Sequence, residues 1–270
     1  MPAALRAIDR LKVFSPNFVS VTYGAGGTTR TLTEEMVVWV KEQTGLVAMA
    51  HMTCVGQTRE EVHGVLKRLE GEGIANVIAL RGDPPRGEAD FVPAVGGFSH
   101  ATELICHLRE NFDFGVAAAC YPEGHTESPD LGRDLEFTRL KVEKGAEYLI
   151  SQLFYDNSHF FNFLDRARKV GIKVPIIAGV LPILNAAQIR RFTSLCGATI
   201  PKDLDRNLDR MADDEEAVRE LGIEYATDQV RELWEAGVDG IHFYALNRSR
   251  SISRILSNLK FLEPAHVPLS

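Results

Sequence analysis

The sequence predicts an α/β fold of the (β/α)₈ barrel type, read as one domain over residues 1–270. Three observations predict it. Short apolar runs of β-forming residues alternate with amphipathic stretches, the amphipathic stretches tend to end in glycine, and polar residues gather at the C-terminal ends of the runs. The length of 270 residues suits this architecture, since a single α/β barrel commonly runs to about 250 residues. An apolar fraction of 45% and a charged fraction of 25% are those of a soluble globular protein.

The elements follow in order. The opening MPAALRAIDRLK reads as an amphipathic helix, not a signal peptide. Strand-type runs are Phe18–Tyr23, Val47–Cys54, Asn76–Arg81, Gly115–Tyr121, Tyr148–Tyr155, Val174–Val180 and Gly240–Leu246. Helical stretches between them are Leu32–Gln43, Arg59–Glu72, His100–Asn111, Leu131–Lys144, Phe160–Val170, Ala186–Leu195 and Ile223–Ala236. Gly73, Gly145, Gly171 and Gly237 each stand where a helix must stop before the next strand. The acidic stretch from Lys202 to Glu220 reads as a solvated helix pair, with a lid over the barrel mouth as the alternative.

Strands that are apolar on both faces and separated by helices must be parallel and covered. An open dinucleotide-binding sheet would want GxGxxG directly after its first strand. Gly24-Ala-Gly-Gly27 lacks the third glycine and the acidic residue about 20 positions later. Thr22, His51, Arg81, Asp83, Tyr121, His125, Gln152, Tyr244 and Arg248 instead sit at or after strand ends, where a barrel assembles its site. Seven strands are readable, and the chain opens with a helix where a first strand should precede it. A barrel lacking that strand has two unpaired edges, which would favour association with a second copy. Either residues upstream or another element would fill the gap.

Composition removes several function classes. The hydrophobic runs are too short for the roughly 20 residues of a membrane span. A net charge of −7 without a basic, aromatic-rich stripe argues against nucleic acid. Cys54, Cys106, Cys120 and Cys196 form no CxxC pair, which suits a reducing compartment and a cytoplasmic protein. His51 and Cys54 would point to opposite faces of a strand, so no metal site is expected there.

Seven strand-end stretches carry a family resemblance: FVSVTYGAGG (18–27), HMTC (51–54), ALRGDPP (79–85), AACYPEGH (118–125), ISQLFYD (150–156), GVLPILN (179–185) and HFYALNRS (242–249). In this order they resemble the methylenetetrahydrofolate reductases, over most of the chain. That resemblance implies reduction of 5,10-methylenetetrahydrofolate to 5-methyltetrahydrofolate, with FAD at the barrel mouth relaying hydride from NADH or NADPH.

The resemblance also implies roles for single residues. Thr22, Tyr23 and Ala25 would line the flavin pocket, and His51 would contact FAD. Arg81 suits a phosphate or a flavin carbonyl, and Gly82 lets backbone approach the ligand. Asp83, in a partly dry cleft, would disfavour the anionic reduced flavin and stabilise a cationic folate iminium. Phe98, Ser99, Tyr121 and His125 would be further FAD contacts, with Asp134 and Lys141 on one helix face toward the pyrophosphate side. Gln152 would give and accept bonds to the pterin, and Tyr244 and Arg248 would close the folate side.

The chain departs from the family pattern in several places. Gly26, Phe137, Leu140 and Ala186 stand where many members carry asparagine, asparagine, arginine and an aromatic. The family's first-strand glutamate, general acid for opening the folate's five-membered ring, has no counterpart, and Glu123 is the nearest strand-end substitute. A general acid is typically worth about 10²–10⁴ in rate. Two rival readings therefore stand beside the reductase: a folate-binding barrel without redox activity, and a flavin-independent reductase.

Overall fold

The structure is a computed structural model that describes residues 2–22, 30–84, 87 and 90–259. Seven strands alternate with helices: β1 (Val19–Val21), β2 (Ala48–Thr53), β3 (Asn76–Leu80), β4 (Gly115–Cys120), β5 (Tyr148–Ser151), β6 (Ile176–Val180) and β7 (Ile241–Phe243). They form one sheet in the order β1-β2-β3-β4-β5-β6-β7, and every neighbouring pair is parallel. Sequential order with helical crossovers is what a right-handed βα repeat produces. The sheet curls into an open barrel with β1 and β7 as its free edges.

The helices are α1 (Pro2–Leu11), α2 (Arg30–Thr44), α3 (Arg59–Gly71), α4 (Ala101–Asn111), α5 (Leu131–Glu143), α6 (Asn157–Lys169), α7 (Ala186–Cys196), α8 (Lys202–Arg210), α9 (Glu215–Glu235) and α10 (Arg250–Asn258). The expected stop glycines all adopt positive φ, from 67° at Gly73 to 115° at Gly145, a backbone that side chains resist. Five helix starts are fixed by side-chain caps. Thr58 and Glu61 form a reciprocal capping box on α3, and Asp130, Asp156, Asn185 and Asp214 cap α5, α6, α7 and α9.

The strand alternation divides the core in two. Outward-facing residues such as Val77, Val116, Leu149 and Ile176 pack under the helices with Leu66, Leu104, Phe160 and Leu233. Inward-facing Met49, Ile78, Ala117 and Ile150 fill the barrel, with Phe18, Leu80, Tyr148 and Ile177 around them. Burying each such large side chain contributes about 1.5–3 kcal/mol.

Two sequence expectations change. The acidic stretch ends earlier as a separate unit: from Glu215 it belongs to α9, a single 21-residue helix. Gly222 does not break that helix. It lies against the Ile183 backbone, where an added Cβ would come within 2.9 Å of Ile183 Cβ. The free edges also meet through side chains. Ser20 Oγ lies 3.0 Å from His242 Nε2, and the Phe18 and His242 rings stack at 5.8 Å.

Candidate functional site

All seven strands run the same way, so their C-terminal ends share one mouth, and the helices that follow them begin there too. Their N-terminal dipole ends make that mouth favourable to anions. Thr22, Arg81, Gly82, Asp83, Tyr121, His125, Gln152, Tyr244 and Arg248 all follow strands at this end. Tyr23 and Ala25 lie outside the described residues.

On the β3 side, Gly82 has φ +86° and sits so close to β2 that an added Cβ would lie 2.5 Å from Val55 Cγ2 and 3.1 Å from Thr53 Cβ. Only glycine allows this turn. Arg81 reaches across the mouth to Glu127 in a two-pronged ion pair, with Nη1 and Nη2 2.5 and 2.7 Å from the carboxylate oxygens. The Arg81 guanidinium also lies over Phe91 at 5.0 Å. Asp83 is exposed, in place of the partly dry cleft expected for it. Thr22 is exposed at the end of β1, with its carbonyl accepting from Thr33 Oγ1 at 3.1 Å.

The loop after β4 organises itself. Tyr121 and His125 meet edge to face at 4.7 Å, and Glu127 N–H donates to His125 Nδ1 at 3.1 Å. Asp134, on α5, accepts from His125 N and Ser128 Oγ at 3.2 and 3.0 Å, so its carboxylate is the loop's anchor. Lys141, two turns along α5, donates to the Ala119 carbonyl at 2.9 Å and lies 5.4 Å from the Tyr121 ring. Among the described residues it has no ion-pair partner, and burial pushes its ammonium below the ordinary lysine range. Burial, then Asp134 and Asp83, pushes the Tyr121 phenol upward, which puts Asp83 and the α5 residues in one electrostatic neighbourhood.

The opposite wall comes from β5 to β7. Gln152 N–H donates to Cys120 O at 2.8 Å, and its side-chain oxygen accepts from Leu153 N at 2.9 Å. Tyr244 OH donates to Ser151 O at 2.7 Å. That bond crosses β6 because residue 179 is glycine: an added Cβ there would overlap the Ser151 carbonyl and lie 2.8 Å from Tyr244 Cε2. Burial raises the Tyr244 phenol, so it stays a neutral donor.

Below the mouth, His51 points into the barrel. Burial, reinforced by His242, lowers it to about 3, and burial alone lowers His242 to about 4. Both rings are neutral hydrogen-bonding groups at physiological pH. Cys54, on the other side of β2, is a buried thiol pushed up to about 12 by burial.

Some expected residues are placed differently. Phe98 is fully buried under Arg59, whose guanidinium lies 4.5 Å from its ring, so only its backbone can meet a ligand. Ser99 beside it is half-buried. Arg248 lies further out, in a cavity it shares with α1 and α10. Phe137 is 41% exposed and carries Arg133 over its ring at 4.8 Å, so this side of α5 presents an aromatic to solvent. Glu123 is tied to the segment after α7: Thr199 N donates to its carboxylate at 3.0 Å, Thr199 Oγ1 donates as well, and His159 Nε2 lies 3.5 Å away. Sequence reasoning missed Glu127, Ser151 and Gly179. Glu127 follows His125 by two positions, but nothing local marks Arg81 as its partner.

Residues 3–260 match the family model for methylenetetrahydrofolate reductase. The chain is 36% identical to methylenetetrahydrofolate reductase (NADH) 1 of Zea mays over 96% of its own length and 46% of that protein. It is 37% identical to 5,10-methylenetetrahydrofolate reductase of Escherichia coli (strain K12) over 90% of its length and 80% of that protein. It thus spans about half the length of its plant relatives. In fold it is similar to an uncharacterized protein from Clostridium thermocellum that binds two copies of 5-methyl-5,6,7,8-tetrahydrofolic acid, with a TM-score of 0.63 at 17% identity, covering 97% of this chain and 88% of that one. On the family match and these identities, the chain belongs to the methylenetetrahydrofolate reductase family.

Proposed function

We propose that the protein reduces 5,10-methylenetetrahydrofolate to 5-methyltetrahydrofolate, using NADH or NADPH with FAD bound at the barrel mouth. The observation that carries this reading is the donor set at one end of the barrel: the glycine cradle at Gly82, the neutral His51, and the Lys141 cation with no carboxylate of its own. A close backbone approach at Gly82 and a cation without a direct ion-pair partner fit a flat ring system carrying a pyrophosphate. Bound flavin would supply two-electron chemistry, accepting hydride from the nicotinamide and giving it to the folate.

The chain's own residues would hold and orient. Lys141 and the N-terminus of α5 would meet the pyrophosphate. His51, Tyr121 and His125 would line the ring and its side chain, with Thr22 at the rim. Arg81 would meet an anionic or carbonyl oxygen after parting from Glu127. Asp83 would oppose negative charge at the mouth and favour the cationic iminium form of the folate, the species able to accept hydride. Gln152, whose side-chain oxygen is held by Leu153 N, would donate its amide NH₂ to the pterin, with Tyr244 closing the wall behind it.

The test is anaerobic spectroscopy of the purified full chain. A yellow protein that bleaches on addition of NADH or NADPH, and regains its colour on addition of 5,10-methylenetetrahydrofolate, is the expected result. A colourless protein that does not retain added FAD would overturn the reading.

A second reading rests on Glu123. Its carboxylate is held by Thr199 and His159, so it is committed to a tertiary contact and not free to protonate a substrate. On that ground the chain would bind folate without completing its reduction. Saturable binding of methyltetrahydrofolate without FAD, with no recolouring of the reduced protein by the methylene substrate, would favour this second reading.

A further inference from the structure

At the β7 side of the mouth the molecule carries a second concentration of chemistry. A cavity of about 360 Å³ lies between the start of α1 and the start of α10, with Leu184 at its wall and Arg219 of α9 beside it. Five arginines line it: Arg6, Arg10, Arg219, Arg248 and Arg250. Arg6 and Arg10 are one helical turn apart and share a face of α1. Among the described residues Glu216 is the one carboxylate that engages the group, pairing with Arg219 and, at 2.7 Å, with Arg250. Among the described residues, the side chains of Arg6, Arg10 and Arg248 make no hydrogen bond or ion pair.

Two further observations point inward. Ser249 and Ser251 line the same cavity and are only 6% and 5% exposed. Neither hydroxyl has a hydrogen-bond partner among the described residues, and neither oxygen is sealed from the cavity. Ser249 precedes α10 yet does not cap it, which leaves the first N–H groups of this nine-residue helix without a side-chain acceptor. Arginine forks, unpaired hydroxyls and open helix N–H groups are all donors. They share one need, an acceptor carrying negative charge.

We propose that this cavity binds a multiply charged oxyanion, of the phosphate-ester or pyrophosphate class. Four net positive charges remain after Glu216 is counted against the five arginines. The volume equals that of about a dozen water molecules at about 30 Å³ each, so it has room for two linked phosphoryl groups. The protein as a whole carries a net charge of −7 and repels anions, so attraction here must come from the local cluster. The site does not rest on the flavin reading, and its test keeps the proposed flavin pocket filled so that pyrophosphate and ADP report on this cavity alone.

The experiment is calorimetric titration of the full chain in saturating FAD at low salt with inorganic pyrophosphate and, separately, with ADP. The expected result is one saturable site per chain, weakened tenfold or more in R6Q/R10Q and weakened also in R248Q. Arg6 and Arg10 are exposed on α1, so glutamine at both preserves the helix, and an unchanged far-UV dichroism spectrum establishes that. R139Q/K173Q, which removes two cations elsewhere, should bind as the parent does. ADP binding ten times tighter than pyrophosphate identifies a nucleotide as the source, and equal affinities identify the free anion. Absence of saturable binding by both ligands, or equal affinity in R6Q/R10Q and the parent, would overturn the proposal.

Discussion

Replacing Gly179 by alanine tests the wall that carries Gln152 and Tyr244. The new Cβ would overlap the Ser151 carbonyl oxygen, a backbone atom of β5, and lie 2.8 Å from Tyr244 Cε2 and 3.1 Å from its hydroxyl. The strand cannot yield, because Ser151 Oγ already accepts from Gly179 N at 2.8 Å and fixes the spacing of β5 and β6. Tyr244 must therefore swing out and lose its 2.7 Å bond to Ser151 O. Overpacking costs about 1–3 kcal/mol and a lost buried hydrogen bond about 1 kcal/mol. The lower unfolded-state entropy of alanine returns about 0.5–1 kcal/mol. The net is a loss of about 1–3 kcal/mol. For a chain of this size that corresponds to a fall in Tm of roughly 2–6 °C. Thermal and urea unfolding followed by dichroism measure it, and Y244F should lose only the hydrogen-bond share, about 1 kcal/mol. A G179A protein as stable as the parent would refute the argument that this glycine exists to let Tyr244 cross β6.

Other expectations follow from the same structure. Removing the Glu127 charge with E127Q frees Arg81; because Glu127 is 53% exposed, the pair is worth at most about 1 kcal/mol, so FAD should bind up to about fivefold tighter, measured by flavin fluorescence titration. An unchanged or weaker affinity would separate Arg81 from the cofactor. His51 and His242, lowered to about 3 and about 4, are neutral in the fold, whereas the unfolded chain takes up protons below about pH 6.5. Stability should therefore fall as pH drops from about 6.5 toward 4, by up to about 1.4 kcal/mol per pH unit for each ring, and H51Q/H242Q should flatten that slope in urea titrations. Cys54 and Cys120, both buried and pushed up to about 12, should resist a thiol reagent at pH 8 in the native state, so at most two of the four thiols react until denaturant is added.

Much of the fold was legible because its cause is local. The short apolar runs found the seven described strands, the stop glycines marked where α3, α5, α6 and α9 end, and the polar strand ends pointed to one mouth. Where the pattern misled, a distant contact was responsible. The acidic stretch reads as a helix pair of its own, yet from Glu215 it is part of α9, which runs through Gly222 because that glycine fits against the Ile183 backbone. The exposure of Asp83 and the burial of Phe98 were likewise decided by neighbouring segments, Phe98 by the packing of Arg59 and His107 above it.

By itself the sequence determined the alternation of strand and helix, the parallel direction, the family and the set of polar residues at the strand ends. Only the tertiary structure decided how those residues are engaged. Arg81 meets Glu127 across 46 residues, Glu123 meets Thr199 across 76, and Tyr244 meets Ser151 across 93. The arginine cavity joins α1 to α10 from opposite ends of the chain. The physical reason is one of range. Backbone preference and hydrophobic period act within a few residues, whereas ion pairs, close glycine contacts and shared cavities depend on strand register and on which helices the curl of the sheet brings side by side.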